Sequence, residues 1–383
     1  MVVAVAVVVA VTIIGVIELW PHHHLKRPAS LGSTRTYGAQ VVRAHYGTCA
    51  ITGGGQRCQT VTAKLRDGRD KGDKTTFEFT PTPGVAGLQA GDRIRVIRTP
   101  PPPKGAPPTA KLPPYQFADY DRRMPMVWLG LIFVVLLLAT GRLLGLRALI
   151  GLGASLLVVL KFVIPSILDG NSAIEVALVG SLTVMLIMIP LAYGLRAKAM
   201  AAWLGTALSL FLAVELASLF THIAHLSGAS SEEAVYLSAT DSHISLQGLL
   251  LAGMVIGALG VLLDLTVSQA STVIALRRAN PSLGPGQLFR GALEVGHDHI
   301  AATVSTLVFA YAGAALAVLL IFSIGGTNFT DAVNSEAVAE EVVATLVGSI
   351  ALIASMPITT ALAALLAVRM PDRHLRAEHA HAH

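Results

Sequence analysis

The sequence predicts an α-helical polytopic membrane protein of about eight transmembrane helices, carrying one small β-rich (barrel or OB-like) extracytoplasmic domain. Three observations predict it. Of 383 residues, 53% are hydrophobic and only 13% charged, with a mean hydropathy of +0.65, whereas soluble globular chains carry about 25% charged residues. The apolar residues fall in long runs, and about 18 or more in succession suffice to cross a bilayer. Between the first run and the rest, from Pro28 to Tyr120, charges, glycines and Thr/Val-rich segments return.

The elements follow in order. Val2 to Leu19 has no basic residues before it, and Glu18-Leu19-Trp20-Pro21 offers no small-residue cleavage site. Residues 1–27 therefore read as a retained signal-anchor helix. Residues 28–98 hold the β-rich domain. Gln40–Ala44, Gln59–Leu65, Thr75–Phe79 and Arg93–Ile97 are its short strands, with Gly91-Asp92 a turn before the last. The only two cysteines, Cys49 and Cys58, flank Gly53-Gly54-Gly55 in this domain. In an oxidising compartment they are a disulfide candidate closing a small loop. Residues 99–124 include the proline-rich stretch Pro100–Pro114 and read as a stiff tether back to the membrane.

Residues 125–370 read as a seven-helix transmembrane domain, with spans near 126–143, 147–167, 173–193, 199–221, 247–274, 300–323 and 339–368. Basic residues gather on alternate connectors: Arg142 and Arg147, Arg196 and Lys198, Arg277 with Arg278 and Arg290, then Arg369, Arg373 and Arg376. The other connectors hold acids instead: Asp169, Glu232, Glu233, Asp241, Asp331 and Glu336. The positive-inside rule then places both termini in the cytoplasm and residues 28–124 outside. It also accounts for the net charge of +5, so the lipid bilayer is the expected partner and nucleic acid is not. Residues 371–383 form a His-rich tail with His379, His381 and His383, and His22, His23 and His24 follow the first run. Such tracts can bind metal, but no cofactor or metal set can be read from them.

Polar residues inside spans carry the functional signal, because a charge at the bilayer centre costs about 2.5–3.5 kcal/mol on insertion scales. Asp264 is the sharpest case. Steps of three and four place Gly253, Gly257, Gly260, Asp264, Ser268 and Ser271 on one helix face, with Thr272 beside them. The competing reading is a packing stripe with one hydrogen-bonded acid. The second case is His297-Asp298-His299, expected to open the seventh span and to continue into a small-polar stripe of His299, Thr303 and Thr306. Its alternative is a helix start where Asp298 caps backbone N–H groups. The third is Glu215, Ser218, His222 and His225 on one face of the fifth span, either an acid–imidazole relay or a hydrated interfacial patch.

The segments Gly260-Val-Leu-Leu-Asp264-Leu-Thr-Val-Ser268 and Gly296-His297-Asp298-His299-Ile-Ala-Ala-Thr303 together resemble the YibE/F-like family of bacterial membrane proteins, over about Met126 to Met370. Leu263-Asp264 stands where that family often has two adjacent acids, and Ser305 where it often has Asn. The resemblance implies a multispanning bacterial inner-membrane protein with an extracytoplasmic β-domain. The leading expectation is transport or export of a small solute or envelope component, proton-coupled through Asp264 and the His297–His299 motif. The alternatives are a scaffold whose outer domain binds an envelope protein or whose spans form a homo-oligomer, and an intramembrane metal-dependent hydrolase. The absence of an HExxH-like pair counts against the hydrolase, so no enzyme is expected, and the absence of a P-loop counts against an ATP-driven pump on this chain alone.

Overall fold

The computed structural model describes residues 1–22, 35–48, 57–81, 87–99, 113–194, 197–240 and 244–370. Cys49, Asp241, Arg196, Arg373, Arg376, His23, His24, His379, His381 and His383 lie outside them. The chain forms two compact units: Met1–Lys26 with Leu138–His383, and Arg27–Leu137.

The smaller unit is an antiparallel sheet of β1 (Thr36–Thr48), β2 (Arg57–Leu65), β3 (Lys74–Phe79), β4 (Arg93–Arg98) and β5 (Tyr115–Tyr120), in the order β3-β2-β1-β4-β5. Alternation builds it. In β4, Ile94 and Val96 are fully buried between arginines, and in β2, Val61, Ala63 and Leu65 point inward between Thr62 and Lys64. The long β1 pairs with both β2 and β4 and carries an irregularity between Val41 and Arg43, a bulge that bends the sheet. β3 also lies near β5, so the sheet curls into a half-barrel. Gln59 is buried inside: it accepts from Leu88 N at 2.8 Å and donates to Leu88 O at 3.1 Å, pinning that loop. Cys58 is disulfide-bonded. The stretch 99–124, expected to be a tether, holds the fifth strand. Proline-rich composition hid it, although Tyr115-Gln-Phe117-Ala-Asp-Tyr120 has the aromatic content of a strand.

The larger unit is helical. Five helices among the described residues are long and apolar enough to cross a membrane, or six if one bent pair is a single span. The sequence suggested about eight. α2 (Arg123–Val158) is two helices that meet at a kink at Arg142, where φ is 48° and ψ −125°, and it runs on through a π-helical turn, Val159–Val163, into α3 (Ile164–Leu168). The kink falls between the expected spans 126–143 and 147–167, so this 46-residue run holds both of them. α1 (Val2–Glu18) differs from the expectation as an apolar helix shorter than a full span. It packs in this unit: Ser166 Oγ donates to Leu19 O at 2.7 Å and His22 N to Asp169 Oδ2 at 2.8 Å.

The packed centre consists of α4 (Ala173–Tyr193), α5 (Ala197–Ile223), α7 (Leu246–Ala279), α8 (Pro285–Ala314) and α11 (Glu336–Arg369). α4 and α11 continue through Pro190 and Pro357. The short α6 (Glu232–Thr240), α9 (Leu316–Ile324) and α10 (Phe329–Asn334) lie in the connections. α8 and α9 meet at a 57° bend. Small residues let the helices approach: a Cβ at Gly205 on α5 would strike the Thr359 side chain on α11.

Candidate functional site

α7 begins at Ser245, whose Oγ accepts from Gly248 N at 3.1 Å, a standard N-cap. α8 begins at Pro285, where a missing N–H costs nothing, and Gln287 reaches back to accept from Gly284 N at 2.9 Å. The expected start near residue 300 is therefore corrected: His297, Asp298 and His299 lie inside a helix and Asp298 caps nothing. Arg290, assigned in the sequence to a basic connector, lies inside the helix as well.

The earlier start sets the depth of the motif. Asp264 lies about 20 Å along α7 from Arg277, and His299 about 21 Å along α8 from Pro285, at ~1.5 Å per residue. The helices run in opposite directions, joined through Asn280–Gly284. The two side chains consequently meet: His299 Nε2 is 3.3 Å from Asp264 Oδ2. Nε2 is shielded and its geometry does not amount to a hydrogen bond, so the contact is an electrostatic pair when the imidazole is protonated. Asp264 is 68% exposed and His299 37% exposed at the side chain. A carboxylate so open within a span is costly against hydrocarbon, and water or protein must face it.

The other predicted residues divide around this pair. Ser268, Ser271 and Thr272 are half-buried further along α7, with Thr272 Oγ1 donating to Ser268 O at 3.0 Å. Thr303 and Thr306 donate to His299 O and Ala302 O at 2.8 and 3.0 Å, so both hydroxyl protons are used within α8. His297 and Asp298 are exposed. The small-residue stripes of α7 and α8 do not pack along their length. A Cβ at Gly253, Gly260 or Gly313 would meet nothing within 4 Å, and only Gly257 approaches α8, at 3.0 Å from Tyr311 Oη. Glu215 and His222 are exposed on α5, and no ion pair joins them among the described residues. No group of three or more His, Cys, Asp or Glu side chains among the described residues could hold a metal.

Sequence reasoning missed the buried polar interior. Thr206, Ser209, Thr266, Gln269, Ser355, Thr359 and Thr360 are all at most 2% exposed. Thr206 and Thr266 hydroxyls join α5 to α7 at 2.7 Å, and Gln269 Nε2 donates to Ala292 O at 2.6 Å, joining α7 to α8. A glutamine within an apolar run was the available signal. Near the acidic connector before α11, Glu336 accepts from Ser227 N, Ser227 Oγ and Gly228 N at 2.5, 2.6 and 3.1 Å. Glu340 accepts from Ser230 Oγ at 2.5 Å. Together they fasten the α5–α6 loop to α11.

The stretch that holds this site, residues 129–369, matches the model of the family described as YibE/F-like protein. The chain belongs to the YibE/F-like family. The match takes in Asp264, His299 and Gln269, while the sheet lies before it. No curated protein and no solved structure matches the chain. Family membership together with the long apolar helices makes this a membrane protein of the YibE/F-like kind.

Proposed function

We propose that this YibE/F-like chain is a transporter or exporter of a small solute or envelope component, coupled to protons at the Asp264–His299 pair. The observation that carries the reading is that pair: an acid and an imidazole 3.3 Å apart, near the middle of a candidate span and open on one side. Intramembrane ionisable residues mark proton relays and ion pathways, and an acid beside an imidazole can take up a proton and pass it on. In this reading the sheet unit and the acidic connectors face the outside and both termini the cytoplasm, as the basic connectors suggest.

The test uses purified protein in liposomes that hold a pH-sensitive dye. A panel of inorganic ions, amino acids and organic anions is added outside. At least one solute is expected to drive proton movement in the wild type, and Asp264→Asn should abolish that movement while keeping the unfolding temperature. Proton movement unchanged in Asp264→Asn, or absent for every solute tried, would sink the reading.

A scaffold is the second reading, favoured by the open α7 face at Gly253 and Gly260, which suits close helix docking by a second copy. It predicts that Gly260→Leu dissociates an oligomer, whereas Asp264→Asn leaves biological activity intact.

A further inference from the structure

We infer that Gln269 is a positioning residue: its buried amide, with Gly296 opposite, sets the register in which α8 crosses α7 and so delivers His299 to Asp264. The significance of the pair rests on the transport reading above; the register itself does not.

Gln269 is 2% exposed, and its Nε2 donates to Ala292 O at 2.6 Å. A primary amide in an apolar interior is costly unless bonded, so this bond is directional and hard to forgo. Gly296, one turn further along α8, closes the approach. A Cβ there would fall 2.9 Å from Gln269 Oε1 and would strike Met356 Sδ of α11. α8 is thus held at one level by an amide from α7 and a sulfur from α11.

Axial geometry links this junction to the pair. From Asp264 to Gln269 is about 7.5 Å along α7, and from His299 back to Gly296 and Ala292 is about 4.5 and 10.5 Å along α8, at ~1.5 Å per residue. The Gln269 rung therefore lies one to two turns from the Asp264–His299 rung on antiparallel helices. The surrounding contact is apolar and permissive: Leu265, Leu352 and Met356 pack against Leu293, Ile300 and Val304. Branched aliphatic side chains repack readily after a shift, so they do not fix a register by themselves. A slip of one residue would translate α8 by about 1.5 Å and rotate it by about 100°, which carries the imidazole off the carboxylate. The amide–carbonyl bond and the glycine contact are the directional and steric features that distinguish one register from the next at this level.

The experiment reads the Asp264–His299 distance without using transport. Asp264→His places two imidazoles together, and Zn2+ bridges two such nitrogens at about 2.0–2.1 Å. The full chain carrying D264H is expected to show a Zn2+-dependent rise in unfolding temperature that vanishes in D264H/H299Q, which keeps every other histidine. Adding Gln269→Met, which preserves shape and removes the donor, should abolish the Zn2+ effect. Adding Thr266→Val, which breaks the α5–α7 hydroxyl link, should lower the unfolding temperature and leave the Zn2+ effect in place. If Gln269→Met does not accumulate in membranes, Gly296→Ala reads the same junction. An undiminished Zn2+ effect in D264H/Q269M overturns the inference while the transport reading stands. No Zn2+ effect in D264H overturns it too, by removing the pairing. Proton movement insensitive to Asp264→Asn, with the Zn2+ effect lost in Q269M, would instead sink the transport reading alone.

Discussion

The two units of this chain differ in what they show outside and in what else they bury. In the sheet, large apolar side chains such as Phe77, Ile94 and Val96 are inside and charges outside. In the helical unit, Leu157, Phe211 and Ile353 are half or more exposed, and the centre mixes buried aliphatic side chains such as Leu210, Leu262 and Leu352 with hydroxyls, glycines and one amide. Water drives the first arrangement, because burying apolar area is favourable there. Lipid cannot drive the second in the same way, since its chains are as apolar as leucine. Close packing and interhelical hydrogen bonds must do so instead. One chain therefore obeys two rules for what a core is.

The largest expected effect tests this difference directly. Phe77 is 2% exposed in the sheet core, and Phe77→Ala should destabilise that unit by about 3–5 kcal/mol. Limited proteolysis within residues 57–81 of the full chain would report it. Leu157→Ala removes a comparable apolar side chain that is 58% exposed, and unfolding in detergent should change by less than about 0.5 kcal/mol. Equal effects at the two sites would break the comparison.

Next in size is overpacking at a helix crossing. The site a Cβ would take at Gly205 is filled by the Thr359 side chain, so Gly205→Val should cost about 1–3 kcal/mol. Gly260→Val, where 4 Å around the Cβ position is empty, should cost far less in the monomer. Thermal unfolding of the two variants separates them.

Smaller still is the hydroxyl link between α5 and α7. A double-mutant cycle of Thr206→Val and Thr266→Val should give a coupling of about 0.6 kcal/mol, with ~1.7 as the ceiling for such bonds. A coupling of zero would mean that the 2.7 Å contact is incidental to packing.

The same contrast explains what the sequence made legible. Thr/Val-rich runs between Gly/Asp turns pointed to four of the five strands, and period-two alternation marked β4 in particular, because in water a strand must show which face is wet. β5 escaped because prolines dominate the residues before it. For the helices, composition revealed that lipid surrounds them but little of how they pack, since hydrophobicity is nearly uniform around each one. Asp264 and His299 stood out as charges in apolar runs, and their meeting depended on where α8 starts. That start rests on Pro285 and Gln287, a local cap in a stretch whose Arg290 reads as part of a basic connector. Gln269 was overlooked because a neutral amide raises no alarm beside an aspartate, although burial makes its partner just as obligatory.

An effect of similar size sharpens the comparison from the sheet side, through pH. Tyr115 opens β5 and its Oη donates to Asp70 Oδ2 at 2.5 Å, tying β5 to the turn between β2 and β3. This bond and burial raise the phenol from its ordinary 10.0 to about 12, because ionisation would break the bond and set two anions together. The folded sheet thus holds a proton that the unfolded chain releases first. Its stabilisation is complete below pH 10, declines as pH rises through that value, and is gone above about 12. Burial raises the Tyr120 phenol as well, so the wild-type slope mixes the two. Tyr115→Phe isolates one of them. It should cost about 0.5–1.5 kcal/mol at neutral pH for the lost hydrogen bond, and it should flatten the alkaline loss of stability. Pulse proteolysis of the sheet unit from neutral to alkaline pH, alongside tyrosinate absorbance, measures both. If the variant and the wild type lose stability in parallel across that window, the Tyr115–Asp70 bond does not set the alkaline limit.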